Sequence, residues 1–305
     1  MVYEQQIILV NTIIRNWVHN IINMRILNYI FILLNSIHCS SFVIPKKGIN
    51  LKQNTHIQKS IIDPTLIPDL TKGVVVNGFG YYSLNKSNQT SLTREGLVHS
   101  TCLGIGLMTF LGIPGYTLCV SYFILGSLVT KIKFDQKKKE GIAEGNNGMR
   151  GPANVWGSAA VAMICAMCTY VFSDYSDMFK IAYVSSISTK LTDTFQSEIG
   201  KAYGNTTFLI TNFERVPRGT EGAISLEGTL AGFLGGFLII LEAYKLGIIH
   251  GYDSILICLL SSQIATFFES YIGATYQDKF LNNEMVNFIN TFIGALISII
   301  LRIAL

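Results

Sequence analysis

From Leu97 to the carboxyl end, the chain is a succession of apolar stretches separated by polar ones. They run roughly over 97–112, 116–129, 153–172, 179–200, 223–244, 253–274 and 285–303. Most approach the ~20 apolar residues that a membrane-spanning helix needs. The pattern predicts an all-α fold, a polytopic membrane helical bundle of about seven transmembrane helices. The first two segments are short and meet at Ile113-Pro114-Gly115, a tight-turn signal. Read instead as one broken helix, they reduce the bundle to six spans and move every later loop to the other side.

Seven spans put the amino-terminal region and loops 131–152, 201–222 and 275–284 on one membrane face. Loops 113–115, 173–178 and 245–252 fall on the opposite face, so the long loops share a side. Loop 131–152 carries Lys131, Lys133, Lys137, Lys138, Lys139 and Arg150 against Asp135, Glu140 and Glu144. Loop 173–178 has Asp174 and Asp177 and no base. Basic loops stay on the cytoplasmic side, which in a plastid corresponds to the stroma. The Lys137–Lys139 run reads as a topology signal or as an anion-attracting mouth.

The fourth segment breaks the apolar pattern. At ~100° per residue, Lys190, Asp193, Thr194, Ser197, Glu198 and Lys201 share an arc of roughly 140°. Leu191, Phe195 and Ile199 lie beside it, and Thr192 and Gln196 complete the back. Ionisable groups inside a span are costly and usually functional, so the arc must face other helices or a wet cavity. An internal ion-pair network or an ion or proton pathway would also use such a helix.

Composition sharpens this picture. Of 305 residues, 14% are charged and 50% hydrophobic, against about 25% charged in an ordinary soluble domain. That polar surface is too small for a soluble enzyme of this size, and the aliphatic content is too high for a disordered chain. A net charge of +4 spread over an apolar chain is no basic stripe, so no nucleic-acid partner is expected. All of the six cysteines but Cys39 lie in apolar stretches. Cys165-Ala-Met-Cys168 has redox spacing, but reads as small packing residues.

The amino terminus reads as an address. Up to Ser60 the only acid is Glu4. Met24-Arg25 precedes a short apolar run over 26–37, long enough for a signal peptide and short for a span. Small residues and Phe42 follow, then a basic, acid-free stretch like a transit peptide. This bipartite pattern resembles leaders directed to plastids bounded by extra membranes, with Met24 as an alternative start; an uncleaved anchor is the other reading. The expected division is a removable leader over 1–60, a polar segment over 61–96 and a transmembrane catalytic domain over 97–305.

Three further span ends are polar. Gly148-Met-Arg-Gly-Pro-Ala-Asn154 opens the third span, with Pro152 suited to a first helical turn and Arg150 set among glycines. The stretch from Arg215 to Thr229 opens the fifth, offering Arg218, Glu221, Glu227 and Gly219, Gly222 and Gly228. Phosphates favour arginine and free backbone N–H groups, and magnesium favours carboxylate oxygen. Glu269 closes the sixth span. Singly, each end also reads as helix capping and close packing. Jointly, with the arc, they converge on the long-loop face, as one interfacial site for a phosphate and a metal requires. The chain has no Gly-x4-Gly-Lys-Ser/Thr loop, no Gly-x-Gly-x-x-Gly fingerprint after a strand and no Gly-x-Ser-x-Gly elbow. His99 and His250 stand alone.

The stretches Glu95-Gly-Leu-Val-His99, Met149-Arg-Gly-Pro-Ala-Asn-Val-Trp-Gly-Ser158, Asp193-Thr-Phe-Gln-Ser-Glu-Ile-Gly-Lys201, Val216-Pro-Arg-Gly-Thr-Glu-Gly-Ala-Ile-Ser-Leu-Glu-Gly-Thr229 and Phe268-Glu-Ser-Tyr-Ile-Gly-Ala274 carry a resemblance. Together they resemble the transmembrane protein 19 family and, within it, the plant-type phytyl-phosphate kinases of chloroplasts. The likeness covers about 94–305. It implies transfer of a phosphoryl group from a nucleoside triphosphate, CTP by preference, to an isoprenoid monophosphate. The product would be phytyl diphosphate, a precursor of tocopherol and phylloquinone. The Asp-Thr-x-x-Ser-Glu-x-Gly motif also looks like that of CTP-dependent polyisoprenol kinases, with Gln196 replacing a small residue.

On this resemblance Lys190, Asp193 and Glu198 are the expected catalytic group. Asp193, Glu198 and Glu227 are candidate Mg²⁺ ligands. Arg150, Asn154, Arg218, Gly219, Thr220, Gly222 and Gly228 would hold nucleotide and phosphates, with Ser197, Glu221 and Glu269 as further site candidates. The expected partners are an isoprenoid monophosphate and membrane lipid, and the expected place is a plastid membrane. The rival classes are a cytidylyltransferase on a lipid phosphate, a proton- or cation-coupled transporter and a membrane scaffold.

Overall fold

The computed structural model describes residues 67–86, 91–277 and 280–305. Every described residue lies in one compact unit, which ends at Leu305. The expected leader, with Met24 and Cys39, lies outside the described residues. The unit is a helical bundle: α1 Ile67–Lys86, α2 Arg94–Lys131, α3 Phe134–Lys139, α4 Pro152–Val171, α5 Ser176–Tyr203, α6 Leu226–Lys245, α7 Gly251–Tyr276 and α8 Asn283–Ala304. Two three-residue strands, β1 Thr207–Leu209 and β2 Ala223–Ser225, pair antiparallel inside the loop before α6.

Helix starts follow local chemistry. Thr93 caps α2 by accepting from the Gly96 N–H at 3.0 Å, and Ser225 caps α6 from Gly228 at 3.1 Å. Asn282 caps α8 from Met285 at 2.9 Å, and Pro152 occupies the first turn of α4.

The helix α2 is a hairpin in space. Gly112 has φ 65° and ψ −163°, and Pro114 follows. A side chain on Gly96 would strike the Arg150 carbonyl, and one on Gly126 would lie 2.8 Å from the Arg150 guanidinium. Straight helix would hold these two glycines about 45 Å apart. Both ends of α2 therefore meet one residue, and the limbs 94–111 and 113–131 run antiparallel. Each limb is about 27 Å long, close to the hydrocarbon thickness of ~30 Å. This excludes the six-span alternative, because glycine at 112 supplies a conformation that no other residue adopts easily.

Among the described residues, five helices are long and apolar enough to cross a membrane: α2, α4, α6, α7 and α8. With α2 counted as two limbs and α5 added, seven crossing elements occupy the seven expected positions. α5 is too polar for that test, because it is the hub and packs against α2, α4, α6, α7 and α8. From Ile181 to Thr194 every residue of it is buried. Close approach to α5 uses small residues: Gly228 lies against the Gln196 carbonyl, Gly232 and Gly236 against Thr192, and Gly294 against Thr189. Large apolar side chains such as Leu128, Leu230, Leu256 and Ile300 project outward, as a lipid-facing surface requires.

Helix α1 is an addition to the expected polar segment. It packs on α2, where Gly104 leaves room for the buried Asn77 amide, whose Nδ2 donates to the Gly73 carbonyl at 2.9 Å. Gly73, Gly78 and Gly80 lower its helix propensity and mask it in the sequence. His99 accepts from Trp156 Nε1 at 2.9 Å, so it acts as a packing partner. Among the described residues, Cys102, Cys119, Cys165, Cys168 and Cys258 are free thiols.

Candidate functional site

The polar arc of α5 and the polar span ends meet around one cavity of about 140 Å³. It lies at the face where α2 begins and ends, α4, α6 and α8 begin, and α5 and α7 end. α5 supplies Lys190, Asp193, Ser197 and Glu198, and the stretch before α4 supplies Arg150 with Asn154 just inside. The loop before α6 supplies Gly219, Thr220, Glu221 and Gly222, and α7 supplies Glu269.

Lys190 Nζ donates to Asp193 at 2.5 Å and to Asn287 Oδ1 on α8 at 2.7 Å. Spacing by three residues sets the first contact: one helical turn brings ammonium and carboxylate together. Glu269 approaches from α7 into the field of Asp193, Lys190 and Glu221. Thus Asp193 and Glu269 form a carboxylate pair with one ammonium beside it.

Arg150 is mounted differently. Its guanidinium lies over the Tyr122 and Phe123 rings, 5.6 and 5.5 Å from their centroids, and donates to the Tyr122 hydroxyl at 3.3 Å. Gly126 provides the space for it. Among the described residues, no carboxylate lies within ion-pair distance of Arg150, whereas Lys190 and Lys201 on the same wall each have one.

Glu198 is buried and pairs with Lys137 and, at 3.7 Å, with Lys201. Lys137 also donates to the Thr130 carbonyl at 2.8 Å, and only 1% of its side chain is exposed. Within the Lys137–Lys139 run, Lys137 is therefore an internal counter-ion, and Lys138 and Lys139 remain exposed. The separation of 61 residues left no local signal of that pairing.

Arg218, Glu227 and Gly228 lie off the cavity wall. Arg218 grips Glu140 with two bonds, Nε to Oε2 at 2.9 Å and Nη2 to Oε1 at 2.5 Å. The hydrogen bond from Gln136, and then Arg218, holds the Glu140 carboxyl below its usual range. Glu227 accepts from the Asn205 backbone at 3.2 Å and side chain at 3.1 Å. Gly228 spends its missing side chain on helix contact, and Gly222 does likewise against Ser270 and Ala274 of α7.

Gln196 corrects the expected back of the arc. It is buried, lines the cavity and donates to Ser270 at 3.4 Å. The hub position is the reason, since polar neighbours surround α5 on more than one side. Tyr122, Glu144 and Asn287 also line the cavity without having been singled out, their spacing along the chain carrying no shared pattern.

The wall carries three bases, Arg150, Lys190 and Lys201, and five acids, Glu144, Asp193, Glu198, Glu221 and Glu269, a net of −2. No group of three or more His, Cys, Asp or Glu side chains forms a metal cage among the described residues. Mg²⁺ needs none, because it uses one or two carboxylates, waters and substrate phosphates. The juxtaposed Asp193 and Glu269 fit that donor set.

The profile described as integral membrane protein DUF92 matches residues 78–295. The chain belongs to this family. DUF92 membership covers the whole cavity wall, and the protein is a multi-pass membrane protein. The DUF92 chain is 46% identical over 229 residues to an uncharacterized membrane protein of Synechocystis, covering 74% of this chain and 88% of that one. It is 43% identical over 220 residues to protein VTE6, chloroplastic, of Arabidopsis thaliana, covering 70% of this chain and 66% of VTE6. An uncharacterized membrane protein of Methanocaldococcus jannaschii is 36% identical over 212 residues, 69% of this chain and 85% of that one. These matches bear out the resemblance to a plant chloroplast protein drawn from the motifs. No solved structure matches.

Proposed function

We propose that this protein is a membrane kinase that transfers a phosphoryl group from CTP to phytyl monophosphate, giving phytyl diphosphate. The observation that carries the reading is Arg150, a guanidinium without a carboxylate partner among the described residues, on the same wall as Asp193 and Glu269. Identity to a chloroplast protein of Arabidopsis and the resemblance of the motifs to phytyl-phosphate kinases support the substrate class. The same identity and the leader pattern support a plastid membrane, with the cavity facing the stroma.

The acceptor phosphate is already anionic, so catalysis consists mostly of positioning and charge neutralisation. Arg150 would hold phosphate oxygens through its planar fork. Lys190, fixed by Asp193 and Asn287, would face the transferring group. Asp193 and Glu269 would hold Mg²⁺, which when bound offsets triphosphate charge and orients its oxygens. A cavity of about 140 Å³ suits the phosphates, with the nucleoside at its mouth and the apolar chain in the membrane.

The test uses purified protein in nanodiscs with phytyl phosphate, Mg²⁺ and CTP. The expected products are phytyl diphosphate and CDP. Arg150→Ala and Asp193→Asn should each lower turnover by about 10²-fold or more. Release of pyrophosphate would identify a cytidylyltransferase instead. No phytyl diphosphate with any nucleotide would remove the proposal.

A further inference from the structure

A chain of side-chain hydrogen bonds runs behind Lys190 and crosses three helices. Asn154 on α4 uses its Oδ1 to accept from the Gly151 N–H at 2.9 Å, beside Arg150. Its Nδ2 is thereby aimed away and donates to Glu284 Oε1 on α8 at 2.5 Å. Asn283 Nδ2 reaches the same oxygen at 3.4 Å. The other carboxylate oxygen accepts from Asn287 Nδ2 at 3.5 Å. That leaves Asn287 Oδ1 for the Lys190 ammonium at 2.7 Å. Lys190 finally meets Asp193.

The polarity of the chain is fixed at three points: the Gly151 N–H and the Lys190 ammonium, which only donate, stand at its ends, and the Glu284 carboxylate, which only accepts, stands at its centre. An amide offers an acceptor at one end and donors at the other, and rotation exchanges them. Glu284 alone in the chain accepts on both sides, so both amides must turn their NH₂ groups toward it. Asn287 then has only its oxygen left for Lys190. Gly157 makes room for this carboxylate: a side chain there would lie 2.9 Å from Glu284 Oε2 and from its backbone oxygen.

We propose that Glu284 is a positioning residue that, through Asn154 and Asn287, fixes the Arg150 end of the cavity and Lys190 in register. Its part in phosphoryl transfer rests on the function proposed above; its hold on Lys190 does not.

Glu284→Gln replaces one acceptor by a donor and sets NH₂ against NH₂ on one side. Asn287 cannot turn without setting its NH₂ against the Lys190 ammonium, so the clash displaces it and loosens its hold on Lys190. Adding Asn287→Asp restores the match: the new amide donates to the new carboxylate, which still accepts from Lys190, and net charge is unchanged. The first readout is acetylation of Lys190 in nanodiscs, followed by peptide mass spectrometry, with exposed Lys72 as internal reference. Glu284→Gln should raise the Lys190 rate about tenfold, and the double variant should return it to near the starting rate. Labelling unchanged in Glu284→Gln, or as fast in the double variant, overturns the proposal. The second readout is turnover with phytyl phosphate and CTP. The single variant should lose kcat with KM nearly kept, and the double should recover it. Restored labelling without restored turnover overturns the positioning role. An inactive unmodified protein removes the proposed function and leaves the labelling result to decide the relay.

Discussion

Replacing Lys137 by Met isolates a buried charge. In the folded protein the Lys137 and Glu198 side chains are 1% and 3% exposed, so neither ion reaches bulk water. Methionine keeps most of the volume and removes the ammonium. Glu198 would retain only Lys201, at 3.7 Å and 22% exposed. Removing one partner of a buried pair costs about 3–5 kcal/mol. The remaining lysine offsets part of that, which leaves roughly 2–4 kcal/mol. For a bundle of this size about 3 kcal/mol corresponds to a fall in Tm of roughly 6–12 °C. Thermal unfolding in nanodiscs, followed by circular dichroism at pH 7, measures it. The companion variant Lys137→Met with Glu198→Gln should recover much of the loss, because an amide is cheaper to bury than a carboxylate. A Tm within 2 °C (roughly 0.5–1 kcal/mol) of the unmodified protein for Lys137→Met would refute the reasoning.

Three further outcomes follow from the same geometry. Gly112→Ala forces a side chain into φ 65°, ψ −163° and should cost about 1–3 kcal/mol, read as a lowered Tm; an unchanged Tm would mean that the hairpin turn is not strained. Gly228→Ala would set a methyl group 2.5 Å from the Gln196 carbonyl and push α6 off the hub, a loss of roughly 1–3 kcal/mol by overpacking, visible in denaturant titration. The Glu140 carboxyl is held low in the folded state by Gln136 and Arg218, so its contribution is full above the ordinary carboxylate range and fades as pH falls through the folded value. The protection of amides in segments 136–142 and 215–222, taken relative to intrinsic exchange at each pH, should therefore fall at low pH, and Glu140→Gln should remove that pH dependence.

The helices were legible because lipid imposes a strong rule on sequence. A span must be apolar over ~20 residues, so the boundaries of α4, α6, α7 and α8 follow from composition. The site was legible for the opposite reason. Where lipid forbids charge, Lys190, Asp193 and Glu198 stand out, and an arc computed from helical spacing gathers residues that do face one cavity. Arg218 and Glu227 were less readable, since arginine and carboxylate beside glycine serve a loop clasp or a helix start as well as a ligand.

By itself, the sequence determined where the apolar segments lie, which of their ends are polar, and the family. These depend on period, length and local motif, which are properties of neighbours in the chain. The turn at Gly112 decided that the first two segments are separate limbs. Tertiary structure decided the partners. It set Lys137 against Glu198, Glu269 beside Asp193, and Glu284 between two amides, across separations that no local pattern encodes. It also decided that α5 is enclosed on every side, so its back is as buried as its arc. The physical reason is common to these cases: in a bundle each buried polar group must find its complement, and only packing determines which helix brings it.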